Sequence, residues 1–214
     1  MEKKVLDKGY IKLLKGEKED NILKVASICY GKKIEAFDEN KKRILLKKLM
    51  FEHAGNPTSS FEFVNFLFEV KCPIFVARQW FRHRIGSYQE ISRRYISKDI
   101  EIFKPEEIKN LEDPIFDTYY DTLCEKIINF YHTLVEKGIR KEVARAILPV
   151  GMYTTFYWQV NLRSLINFLM VRLDTHAQRE IKEYAKAILR LIEKFCPITV
   201  ELLKEKLSKE KNDK

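Results

Sequence analysis

The sequence has no long apolar run. A membrane span needs roughly 18 to 20 predominantly apolar residues, and the most apolar stretch, Leu162 to Leu173, is broken by Arg163 and Arg172. The N-terminus, MEKKVLDKGY, has early charges but lacks the apolar block of a secretory signal. A soluble, cytoplasmic protein that does not engage membranes is expected. Cysteine is sparse: Cys29, Cys72, Cys124 and Cys196 are far apart and include no C-x-x-C pair, which argues against a zinc site or a thioredoxin-like redox motif. Reduced, structural thiols are expected. No repeat or low-complexity linker interrupts the 214 residues, and their 45% hydrophobic content suits one domain with a sizeable core. From Glu201 onward five lysines stand against four acids, so residues 201–214 read as a charged, solvated tail on a domain spanning 1–200.

Acid is also missing where base is densest. Of twelve arginines, five (Arg78, Arg82, Arg84, Arg93 and Arg94) fall within seventeen residues, opposed only by Glu90. The net charge of +9 suggests an attraction to anions without naming them. This concentration requires an anionic partner.

The pattern along the chain predicts an α+β fold: a helix-dominated single domain with a small antiparallel sheet. Strands are expected over Val5–Leu14, Phe61–Lys71, Asp99–Phe103 and Thr154–Val160, where β-branched and aromatic residues gather or alternate with polar ones. Helices are expected over Asn21–Tyr30, capped by Asp20, and over Glu39–His53, stopped by Ala54-Gly55-Asn56-Pro57. Others follow: PIFVARQWFRHR after Pro73, ending near Gly86; Pro114–Lys137; Lys141–Leu148; Leu162–Leu173; Ala177–Phe195; and a short last one opened by Pro197.

Two of these segments carry chemistry. In PIFVARQWFRHR, helical spacing places Arg78 and Arg82 on one face, with Gln79 one step round and His83 four beyond it. Guanidiniums suit bidentate capture of phosphate and stacking on flat rings; the plain alternative is a basic helix end complementing its own dipole. The polar stretch that follows, with Glu90, Ser92, Arg94 and Tyr95, sits between aromatic anchors and reads as a binding loop on a scaffold. The second segment, Asn161 to His176, is apolar nearly all round, yet it holds Asn161, Arg163, Asn167, Arg172, Asp174 and His176. Buried guanidiniums and amides need partners, supplied by a ligand or by internal ion pairs. Arg145, among apolar neighbours, is a third arm of the same pocket or a structural ion pair.

These residues resemble a known family. Arg82-His83-Arg84, seven residues, Ser92, one residue, then Arg94 and Tyr95 are similar to the R-H-R-x7-S-x-R-Y signature of the flavin-dependent thymidylate synthases, a six-position match over fourteen residues. KEVARAILP and NLRSLINFLMVRLDTHAQ extend the likeness, which covers about Leu6 to Pro197. The resemblance implies reductive methylation of dUMP to dTMP, with 5,10-methylenetetrahydrofolate as carbon donor and FAD reduced by NADPH. It also implies a homotetramer whose active sites lie at subunit junctions. By similarity, FAD would meet Ser59, Glu62, Arg82, His83, Arg84, Gln89, Glu90, Asn161, Arg163, Asn167, Val171 and His176. The nucleotide would meet Gln79, Arg82, Glu90, Ile91, Ser92, Arg93, Arg94, Arg145 and Arg172. The sequence departs from the family in GNPTSSFEF, where Pro57 and Phe63 stand in place of histidines, and in Gln89, where Asn is commoner. Cys29 would neighbour the cofactor's adenosine side.

Within the family reading, Ser92 either attacks the uracil ring or only binds, while Arg94 and Arg172 polarise the pyrimidine by preorganised electrostatics. Polarisation is preferred, because Ser92 has no adjacent histidine base. Cys72 and Cys196 precede proline with no base beside them, which disfavours a thiolate route. No metal is called for, since His83 and His176 have no companion ligands at metal spacing. A single-strand nucleic-acid binder and a flavin-binding but inactive family member are the competing readings. Against the first, the arginines lie in apolar helices and form no exposed stripe.

Overall fold

The computed structural model describes residues 1–29, 31, 38–52 and 55–212, with side chains through residue 209. The expectations that fell on Tyr30, His53, Ala54 and residues 213–214 lie outside them.

Five antiparallel strands form one sheet in the order β1-β2-β3-β5-β4. The stretch expected as one strand, Val5–Leu14, is instead a hairpin of β1 (Glu2–Val5) and β2 (Gly9–Gly16). Gly9 is required at this corner: a Cβ there would lie 2.7 Å from the Val5 carbonyl oxygen and 2.8 Å from that of Lys71. The third strand, β3 (Asn65–Pro73), begins later than expected. Phe61 and Val64, both fully buried, are three apart, a helical spacing, and Ser59–Phe63 winds as a 3-10 turn. Strict alternation begins only at Phe66, with Phe66, Phe68, Val70 and Cys72 facing the core. β3 pairs along its whole length with β5 (Tyr153–Asn161). β4 (Ser87–Glu90) adds to the free side of β5 from a segment expected to be a loop. The strand expected over Asp99–Phe103 reduces to one bridge between Ile102 and Met152.

The helices are α1 (Asp20–Ile28), α2 (Glu39–Lys47), α3 (Ile74–Trp80), α4 (Glu106–Lys109), α5 (Pro114–Glu136), α6 (Lys141–Ala144), α7 (Leu162–Leu173), α8 (Arg179–Ile192) and α9 (Pro197–Asn212). None among the described residues is long and apolar enough to cross a membrane. A short π-helical stretch, Lys48–Glu52, continues α2, and a 3-10 turn, Arg145–Ile147, continues α6. Trp80, Phe156, Trp158 and Phe168 form the centre of the core, with Trp80 centroids 4.9 to 5.5 Å from the other three rings. These rings join α3, β5 and α7, the elements that carry the site.

The last helix is longer than the short one expected, and its apolar residues just past Glu201 pack on the core while Lys204, Glu205, Ser208 and Lys209 stay exposed. Val200, Leu202 and Leu203 are buried. Its first turn is held by Glu19, whose carboxylate accepts hydrogen bonds from the Ile198 and Thr199 amides, each 2.9 Å, and from the Thr199 hydroxyl at 2.7 Å. Glu19 is itself buried, and desolvation raises its pKa. The sequence-based cap, Asp20, is instead the first helical residue and makes no capping bond.

Candidate active site

The arginine segment is divided because α3 ends early. Its last residue is Trp80, and the His83 amide turns back to the Trp80 carbonyl at 3.0 Å. Arg78 stays on the helix while Arg82, His83 and Arg84 leave it, so the face expected to unite Arg78 with Arg82 does not exist. The chain must turn here to reach β4, and Gly86 permits it: a Cβ would sit 2.9 Å from the Gln159 carbonyl oxygen and from Trp158 Nε1.

Arg82, His83 and Arg84 line a cavity of about 730 Å³ together with Ile85, Asn56, Pro57, Glu62 and the first turns of α7, Asn161, Arg163, Ser164 and Asn167. Asn161 caps α7, its Oδ1 accepting from the Ser164 amide at 2.9 Å. That bond leaves its amide NH₂ group for other partners. Arg163 donates to Glu62 across the cavity wall at 2.5 Å. Arg82, Arg84 and Asn167 are exposed and have no protein partner among the described residues.

Arg78 lines a second, smaller cavity of about 370 Å³ with Glu90, Ile91, Arg93, Arg145 and Thr154, floored by Ile74, Ala77, Phe81, Leu148 and Met152. Glu90 Oε1 accepts from the Thr154 hydroxyl at 2.6 Å. Arg93 is 8% exposed and spends its guanidinium on the carbonyls of Lys98 (2.6 Å) and Asp99 (3.1 Å), leaving Nε buried without a partner. Burial lowers its pKa. Arg93 therefore shapes the loop as well as lining the cavity. Among the described residues Arg145 donates only to the backbone carbonyl of Glu142, at 3.3 Å, and forms no ion pair.

A third group lies apart from the smaller cavity. Arg172, on the last turn of α7, donates through Nε to His83 Nε2 (3.0 Å) and through a terminal nitrogen to the Gln79 carbonyl (2.7 Å). The Gln79 side chain bonds to Gln178.

Seven of the twelve residues expected at the cofactor gather accordingly around the larger cavity: Glu62, Arg82, His83, Arg84, Asn161, Arg163 and Asn167. Ser59, Gln89, Val171 and His176 are exposed and line neither cavity, and Glu90 lines the smaller one. His176, expected within the Asn161–His176 segment, lies past the end of α7. At the smaller cavity Glu90, Ile91, Arg93 and Arg145 come together, while Gln79, Ser92, Arg94 and Arg172 do not line it. Ser92 Oγ accepts from the Arg94 amide at 3.3 Å, and Arg94 reaches Glu142 at 3.6 Å. Cys29 follows α1, exposed, and touches neither cavity. Cys72 and Cys196 are buried, and desolvation pushes both thiols well up, away from the nucleophilic thiolate. Arg78 and Thr154 are additions at the smaller cavity. Arg78 stood out within the arginine cluster, whereas Thr154 looked like any strand residue until its Glu90 partner placed it.

Known proteins resemble the chain over nearly its whole length. The family model described as "Thymidylate synthase complementing protein" matches residues 12–198. The flavin-dependent thymidylate synthase of Thermosipho melanesiensis is 40% identical over 218 residues, covering 94% of this chain and 93% of that protein. That of Thermotoga neapolitana is 42% identical over 202 residues, covering 92% and 91%. The crystal structure of a UMP/dUMP methylase from Streptomyces cacaoi bound with 5-Br dUMP superposes with a TM-score of 0.78 at 26% identity, covering 95% of this chain and 97% of that one. The chain belongs to the flavin-dependent thymidylate synthase family.

Proposed function

We propose that the protein methylates dUMP reductively to dTMP in the cytoplasm, with FAD in the larger cavity, dUMP in the smaller one, and 5,10-methylenetetrahydrofolate and NADPH as co-substrates. The observation that carries this reading is the pair of cavities, one with Arg82 and Arg84 and the other with Arg78 and Arg145, four guanidiniums that have no carboxylate partner among the described residues. The larger lies within the range of roughly 300–1,000 Å³ usual for ligand pockets. Its donor set fits the cofactor: Arg82 and Arg84 suit a pyrophosphate, and Asn161 and Asn167 offer amides to ring carbonyls and ribose hydroxyls. When bound, FAD supplies hydride transfer, which no side chain here can perform.

The chain's own residues bind, orient and polarise. At the smaller cavity Arg78 and Arg145 have guanidinium donors free for a phosphate, and Glu90, fixed by Thr154, offers its remaining carboxylate oxygen to a ribose hydroxyl or a uracil N–H. Ser92 has no base beside it and already accepts the Arg94 amide, which favours polarisation of the pyrimidine by Arg94 and Arg172 over serine attack. Those two arginines lie outside the cavity that holds Arg145. Sites shared between subunits of a homotetramer would bring them in.

Purified protein supplied with dUMP, methylenetetrahydrofolate and NADPH should be yellow, release FAD on denaturation and form dTMP. Ser92→Ala should keep measurable turnover with weakened nucleotide binding. Loss of all turnover at unchanged dUMP affinity would make Ser92 the nucleophile. A colourless protein with steeply salt-dependent affinity for single-stranded DNA would sink the enzyme reading, and a yellow one that makes no dTMP would select an inactive flavin binder.

A further inference from the structure

His83 meets the larger cavity on one side and Arg172 on the other. A guanidinium has five N–H donors and no acceptor, so a 3.0 Å contact between Arg172 Nε and His83 Nε2 requires a lone pair on Nε2. An imidazole with a lone pair on Nε2 is neutral and carries its proton on Nδ1. The arrangement is anchored at several points. Arg172 is tied to the Gln79 carbonyl, the imidazole packs edge-on against Phe168 with centroids 4.9 Å apart, and the Tyr88 hydroxyl donates to the His83 carbonyl at 2.6 Å. Among the described residues nothing accepts the Nδ1 proton.

We propose that Arg172, besides its part at the pyrimidine, positions His83, fixing it as the neutral Nδ1–H tautomer so that the larger cavity presents one invariant N–H donor to an acceptor atom of the flavin ring. The inference rests on the assignment of that cavity to FAD. The charges facing His83 agree with it. Arg172 lies behind it; Arg82, Arg84 and Arg163 share its cavity; the one carboxylate there among the described residues, Glu62, is held by Arg163. Burial and the Arg172 charge together push the His83 pKa down to about 4. The ring therefore adds no charge at neutral pH, and its donor direction is set before any ligand arrives.

The tautomer can be read directly in cofactor-free protein. Histidine-labelled ¹⁵N spectra should show one ring, missing in His83→Asn, with the neutral Nδ1–H pattern unchanged from pH 5.5 to 8. Arg172→Met, which removes donor and charge but leaves the burial, should raise that ring's pKa while keeping it below the ordinary 6.5, and shift the ring toward the Nε2–H form. An Nε2–H pattern in the wild type, or ordinary titration there, overturns the proposal. The cofactor gives an independent reading. The amide nitrogen of Asn superposes on Nδ1 and that of Gln on Nε2, so His83→Asn should keep FAD affinity while His83→Gln loses roughly tenfold, the worth of one hydrogen bond. Gln rescuing better than Asn contradicts it. The expected tautomer in a protein that takes up no FAD would overturn the flavin assignment and leave the Arg172–His83 pairing standing.

Discussion

His83 shows how the meaning of a residue changes once its neighbours are known. Its place in Arg82-His83-Arg84 marked it for the cofactor, and in the fold it lines the larger cavity. Its bond to Arg172 was invisible in the sequence, because the partner lies 89 positions away and the family resemblance had assigned that arginine to the nucleotide. The burial of His83 has a measurable consequence. Its folded pKa, about 4, lies below the ordinary 6.5, so the folded protein favours the neutral ring. The resulting stability is complete above pH 6.5 and is lost as pH falls toward 4, where the unfolded chain binds the proton first. Urea denaturation should therefore show a midpoint that declines between pH 6.5 and pH 4.5 in the wild type, and declines less in His83→Asn. Equal slopes would show that His83 does not titrate as stated. Ser92 and Arg94, by contrast, were legible as signature residues but not as cavity residues, since a motif fixes spacing along the chain and not the direction of side chains on a turning loop.

Most of the helices and the central strands could be read from periodicity; the failures occurred where tertiary contact overrode a local pattern. α3 stops at Trp80, although PIFVARQWFRHR has no breaker before Gly86, because the core fixes Trp80 and the chain must then turn to pair β4 with β5. β4 was read as a loop because an edge strand of SYQE, largely exposed, buries no alternating face. The β1–β2 hairpin is the converse case, a corner whose need for glycine comes from carbonyls on two strands. Gly9→Ala should destabilise the protein by about 1–3 kcal/mol, as overpacking does, read as a lowered urea midpoint with an unchanged slope. Gly31→Ala offers a contrast. Among the described residues nothing lies within 4 Å of its Cβ position, and its φ of +62° strains any side chain, so it should cost about 1 kcal/mol, the penalty of a left-handed conformation. A Gly9→Ala protein as stable as the wild type would mean that the hairpin closes differently.

At the scale of the whole molecule, the α+β class and the small antiparallel sheet were plain in the sequence, whereas the outer surface was not. α5 buries only Tyr131 and exposes Ile115 (81%), Phe116 (51%), Tyr119 (60%), Leu123 (43%) and Phe130 (55%). A stripe of that kind on a 23-residue helix marks an interaction surface, and it supports the proposed homotetramer. Phe116→Asp combined with Leu123→Asp should leave the monomer folded by circular dichroism, lower the mass measured by light scattering, and reduce dTMP formation with it, since the proposed sites are shared. Full-mass assembly by the double variant would place the interface elsewhere. The Glu19 clamp has its own consequence for how the molecule is made. A carboxylate near the start of the chain is buried on the strength of three donors that follow residue 197, so a polypeptide that ends at Pro197 would lack all three, together with the buried Val200, Leu202 and Leu203 of the same helix. Incomplete translation products would then be unable to finish folding, and proteases could distinguish them from full-length chains by that failure alone.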